Sequence, residues 1–119
     1  MSDEMVVLDA ADFGWDEPEM HVRAYSKCLV TRETVPGASF DFRISRYPVS
    51  GRNESHSHES AEQLFYIISG TGTARSGGVR HRLSPGITLY VPPRVDHAIE
   101  NTGDEDLVFA IVTTEPLVG

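Results

Sequence analysis

Residues 56–63 read HSHESAEQ. Residues two apart on an extended strand project to the same side. His56 and His58 can therefore aim both imidazoles into one space, as a shared metal ion requires. Imidazole suits zinc, copper, iron and nickel, so the pair alone does not choose a metal. On its own the same spacing reads more readily as a solvated loop edge. Glu62 and Gln63 follow; being adjacent, they cannot both face one ion from a regular strand. Further on, Gly86, Pro92, His97 and Asn101 are spaced G-x5-P-x4-H-x3-N. His21 and His81 lie outside both patterns and read as surface residues.

Strands have to hold these side chains. The sequence is rich in short strand signals with turn residues every eight to ten positions, and poor in helix signals. Arg23 to Thr31 reads as a strand ending before Pro36-Gly37. Ser39 to Tyr47 alternates, with Phe40, Phe42 and Ile44 on one face and Asp41, Arg43 and Ser45 on the other. Ser55 to Glu59 is a short extended piece. Gln63 to Ser69 is apolar on both faces, which predicts cover on both. Gly77-Gly78 between Thr71–Ser76 and Val79–Leu83 is a hairpin signal, because both central residues of the tight turn need positive φ. Ile87 to Val91 stops at Pro92-Pro93, and His97 to Glu100 and Leu107 to Thr114 follow. A capped turn around Asp9 to Trp15 is the only helical candidate. Trp15 itself suits either an N-terminal flap or a dimer interface. The pattern predicts an all-β sandwich or barrel.

The chain has 119 residues, 39% hydrophobic and 24% charged, which fits one folded domain. Its net charge of −8 argues against a nucleic-acid partner and against docking on an anionic membrane. Cys28 is the only cysteine and reads as a buried, inert thiol. With an acidic N-terminus and no long apolar run, the reading is cytoplasmic.

The two histidine-bearing patterns together resemble the cupin superfamily, over about residues 39 to 114. The resemblance implies a jelly-roll (double-stranded β-helix) barrel. It implies one cupin domain over 1–119, with 1–22 as an N-terminal arm and 39–114 as the barrel core. It also implies that His56 and His58, from the first motif, and His97, from the second, ligate one divalent metal ion: zinc, nickel, iron, manganese or copper. The family usually has glutamate as fourth ligand; the spacing back from Gly70 favours Gln63 over Glu62. A histidine pair followed by glutamine is similar to small single-domain cupins that act on unsaturated uronic acids, where the metal promotes ring opening and tautomerisation. Arg94 stands where the family pattern has glycine, which predicts a locally altered turn; its side chain reads as a solvated rim charge, with a cation that reaches the barrel mouth as the alternative.

An amide oxygen is neutral where a carboxylate carries a charge. A centre of three imidazoles and one amide keeps the full charge of its ion and favours Lewis-acid over redox chemistry. The expectation is an isomerase or lyase acting on a small anionic or carbonyl-bearing metabolite. A dioxygenase and a non-catalytic small-molecule-binding cupin are the alternatives. Arg43, as a carboxylate anchor, and Tyr66, as a proton-transfer group, are the candidate catalytic residues in the cavity wall. Phe65 and Ile67 should line the interior beside Gln63. Pairing into a homodimer through exposed edge strands is also expected.

Overall fold

The structure, a computed structural model, describes residues 4–114. Within them run ten strands: β1 (His21–Val22), β2 (Tyr25–Val30), β3 (Phe40–Tyr47), β4 (Arg52–Asn53), β5 (Gln63–Ser69), β6 (Gly72–Ser76), β7 (Val79–Leu83), β8 (Thr88–Val91), β9 (Ala98–Glu100) and β10 (Leu107–Thr114). They form two antiparallel five-stranded sheets, in the orders β2-β3-β10-β5-β8 and β1-β4-β9-β6-β7. This is the all-β jelly roll that the sequence implies.

Local chemistry fixes the corners. Gly77 and Gly78 take φ of 58° and 79° at the β6–β7 hairpin, a turn that side chains resist. At Gly70, with φ of 83°, an added Cβ would sit 2.2 Å from the Asp106 carbonyl oxygen. Asn101 ties three segments together: its Nδ2 donates to the Tyr47 and Glu105 carbonyls at 2.7 Å each, and its Oδ1 accepts from Gly103 N. Asp9 caps the short helical turn Ala10–Asp12 by accepting from Ala11 N.

The core is the closed end of the sandwich, where Phe109, Ile67, Leu83 and Leu107 are fully buried. On β3 the polar face points inward: Asp41, Ser45 and Tyr47 are buried, while Phe40 is exposed and Phe42 and Ile44 are half-buried on the outside. The cover expected on both faces of β5 is present on one only, and Leu64, Tyr66 and Ile68 remain 43%, 50% and 46% exposed. Trp15 lies on that outer side of the sheet, within 5.0 Å of Lys27 Nζ and 5.1 Å of the Arg46 guanidinium carbon. Cys28 is half-buried, not buried. The two-residue strands β1 and β4 pair His21 with Asn53; neither was legible, because two residues carry no periodicity.

Candidate metal centre

His56 and His97 are joined through their backbones. His56 N donates to His97 O at 3.1 Å, and His97 N returns a bond to His56 O at 3.0 Å. Arg94 N donates to His58 O at 2.7 Å. These bonds bring the second histidine element, about forty residues downstream, against the first. The ring centroids stand 5.1 Å (His56–His58), 4.6 Å (His56–His97) and 6.0 Å (His58–His97) apart.

The ring orientations follow from carbonyl partners. His56 Nδ1 lies 2.9 Å from Glu54 O, and His97 Nδ1 lies 3.0 Å from Val95 O. A carbonyl only accepts, so each Nδ1 carries the proton and each Nε2 keeps a lone pair; the longer 3.3 Å approach of Asn53 Nδ2 to His56 Nδ1 is then a contact between two donors, and Asn53 Nδ2 donates to Glu54 O instead. Burial holds His58 and His97 below the ordinary histidine pKa. The neighbouring imidazoles add to the shift at His58, and His56 adds to it at His97, where the Val95 bond opposes it. Both therefore stay neutral and able to ligate near neutral pH.

Gln63 opens β5 with its side chain inward and 7% exposed. Its Nε2 donates to Thr113 Oγ1 at 3.1 Å. Its Oε1 is buried without a well-formed hydrogen bond, as are His58 Nε2 and His97 Nε2; Gln63 is nonetheless near enough to His58 to oppose part of the lowering of its pKa. Glu62, one residue earlier, is exposed and accepts a short hydrogen bond from the Tyr90 hydroxyl. Strand alternation therefore separates the two candidates: Gln63 faces the histidines and Glu62 faces away.

The site fits a metal ion. One ligand atom from each of the three histidines lies within 4.8 Å of the others. Tetrahedral bonds of about 2.1 Å place ligand atoms roughly 3.4 Å apart, so small ring rotations close the gap. Three imidazole nitrogens and an amide oxygen are a donor set that divalent transition ions accept.

The histidines and Gln63 share the wall of a cavity of about 780 Å³. Arg43 lines it too, with its Nε buried and without a hydrogen-bond partner. Phe65 lines it beside His97, as expected. Tyr66 does not. It alternates with Gln63 and Phe65, so it projects from the outer face, half exposed and away from the cavity wall. His21, read as a surface residue, is in the cavity wall. It is half-buried, stacks edge-on against Tyr47 at 6.1 Å, and its Nδ1 lies 2.7 Å from Glu19 O. Burial lowers its pKa as well. No pattern in the sequence marks His21; only the pairing of β1 with β4 carries it inward. His81 is exposed, as read. Arg94 is exposed outside this cavity, with its guanidinium 3.5 Å from Glu59 O. Its turn is not altered: Arg94 adopts φ of 64°, the conformation that a glycine would take.

Residues 43–113 match the cupin domain family. The chain belongs to that family. As a cupin it is 27% identical to an oxalate-binding protein of Thermotoga maritima, over 71% of this chain and 69% of that one. It is 32% identical to the (S)-ureidoglycine aminohydrolase of Escherichia coli, over 71% of this chain. The cupin spans about half the length or less of other curated relatives, 34% of the aminohydrolase and 48% of a Methanocaldococcus jannaschii protein. A solved Thermotoga maritima structure, described as a predicted oxalate decarboxylase, superposes with a TM-score of 0.80 at 20% identity, covering 92% of this chain and 99% of that one. That likeness confirms the barrel. Among the described residues no helix is long and apolar enough to cross a membrane.

Proposed function

We propose that this cupin is a metal-dependent enzyme acting on a small anionic or carbonyl-bearing metabolite, with isomerase or lyase chemistry. His56, His58, His97 and Gln63 would hold one divalent ion. The observation that carries this reading is the trio of buried atoms that make no well-formed hydrogen bond, Gln63 Oε1, His58 Nε2 and His97 Nε2, in residues that line one cavity. A buried polar atom without a partner costs about 1–3 kcal/mol, so three of them together argue for a ligand.

A divalent ion bound there supplies Lewis-acid polarisation of a substrate oxygen, undiminished by ligand charge. The chain's own residues do the rest. Arg43 presents a guanidinium suited to gripping a carboxylate. His21 takes the role expected of Tyr66: with Nδ1 donating to Glu19 O, its Nε2 is free to accept a proton from substrate. Phe65 and Ile111 give the cavity an apolar wall that limits water.

The Thermotoga maritima relative's name favours a second reading, a cupin that binds a small carboxylate without turnover. Protein purified without added metal should separate the two. Zinc, nickel or manganese by elemental analysis, with no oxygen uptake, is the expected result. Iron or copper with oxygen consumption would make it a dioxygenase. Oxalate binding by calorimetry that survives complete removal of metal would favour the binding module.

The net charge of −8 argues against a nucleic-acid partner. The exposed apolar side chains Leu64, Tyr66 and Ile68 support pairing of two copies through the outer face of the β2–β8 sheet. Sedimentation should give twice the 13.1 kDa chain mass, and Ile68→Arg should halve it; a wild-type monomer would refute the dimer.

A further inference from the structure

Gln63 can serve a metal ion with only one of its two ends. The oxygen ligates; the amino group, which only donates, does not. Something must therefore decide which end faces the histidines. Thr113 Oγ1, 3.1 Å from Gln63 Nε2, touches that choice but does not make it alone. A hydroxyl both donates and accepts, so it would tolerate either orientation of the amide.

The register supplies the missing direction. Thr113 stands directly opposite Gln63 on β5 and directly opposite Asp41 on β3. All three are buried, at 7%, 1% and 4% exposure for Gln63, Thr113 and Asp41. Directly opposed residues on one face place their Cβ atoms about 5 Å apart, within reach of short polar side chains. A carboxylate oxygen only accepts, and the group can accept more than one bond.

We infer that Asp41 and Thr113 form a one-way relay that turns the oxygen of Gln63 toward the metal centre. Asp41 takes the hydroxyl proton of Thr113. The threonine oxygen is left as an acceptor for Gln63 Nε2, and Gln63 Oε1 has one direction left to face. Both are positioning residues, acting on the ion through Gln63; the inference rests on the metal-centre reading above.

Cobalt(II) alone, titrated into the purified protein, is the probe, read by affinity and by its visible absorption spectrum. Thr113→Ser keeps the relay and should match wild type in both. Thr113→Val keeps the shape and loses the acceptor; it should bind cobalt about 10–100-fold more weakly, with an altered spectrum, as expected for loss of a group that orients a ligand. Asp41→Asn can donate to the hydroxyl and should weaken binding likewise. The sign test is the double variant. In Gln63→Glu the side chain at 63 has two equivalent oxygens and competes with Asp41 for one hydroxyl proton. Adding Asp41→Asn there should leave cobalt affinity unchanged or raise it. Wild-type affinity and spectrum in Thr113→Val, or an Asp41→Asn penalty that persists in the Gln63→Glu background, would overturn the relay while leaving the metal centre standing. Wild-type protein that takes up no cobalt would overturn the centre itself and the relay with it. Should Asp41→Asn fail to fold, the Thr113→Val and Thr113→Ser pair still decides.

Discussion

The inner faces of β3, β10 and β5 run as matched rows from one end of the barrel to the other, and the two ends differ. At the closed end Ser45, Phe109 and Ile67 stand side by side, with Leu107 opposite Tyr47. At the open end the row is Asp41, Thr113 and Gln63. The strands and the alternation are the same, and the depth of burial is similar, yet one row is mainly hydrocarbon and the other is wholly polar. The middle row, Arg43, Ile111 and Phe65, is the transition. Apolar burial is favourable without partners, whereas each polar group at the open end must find a partner or leave a deficit. The comparison therefore assigns stability to one end and chemistry to the other.

That division can be broken by substitution. Phe109→Ala, at a fully buried position, should lose about 3–5 kcal/mol in a urea melt, a large part of the roughly 5–15 kcal/mol that holds a domain together. A loss under about 1 kcal/mol would mean that the closed end is not the stabilising one. His97→Ala should do the reverse. It should cost far less than Phe109→Ala in metal-free protein, because it removes a group whose Nε2 is already unpartnered. Its effect should be on linkage: zinc at about a hundred times its dissociation constant adds roughly 2.7 kcal/mol to a protein that binds it only when folded. Wild type should gain that increment, shed it in chelator, and His97→Ala should gain none. An equal zinc shift in both proteins would place the ion elsewhere.

The two ends were not equally legible in the sequence. Turn chemistry is local, so Gly77-Gly78 could be placed without knowing the fold, and the bounds of β5 and β10 followed from their turn residues. The inward direction was not local. On β3 the alternation itself was readable, but hydrophobic residues on one face suggest the interior, and here they face out while the site faces in. On β5, apolar on both faces, alternation could not say which face the barrel closes over. Once Gln63 was taken as inward, however, the same alternation placed Tyr66 outward; that signal was present. The histidine triad was legible only through the resemblance of two spaced motifs, since periodicity within a strand says nothing about a backbone bridge between His56 and His97. His21 had no signal at all: β1 is two residues long, and its pairing with β4 depends on the rest of the fold.

Arg94 tests the division at its smallest scale. Its backbone does the work of the open end, donating to His58 O at 2.7 Å, while its φ of 64° places a side chain where glycine is at ease. A non-glycine residue in that region costs about 1–2 kcal/mol, and glycine gives back part of that through the greater freedom of the unfolded chain. Arg94→Gly should therefore raise stability in a urea melt by about 0.5–1 kcal/mol and leave zinc affinity unchanged, because the bond to His58 comes from the main chain. Arg94→Ala, which keeps the strain and loses only the guanidinium near Glu59 O, should sit at wild-type stability. If the glycine variant were instead less stable and the alanine variant equally so, the arginine side chain would be holding the turn, and the cost of the left-handed backbone would be offset by contacts at the surface.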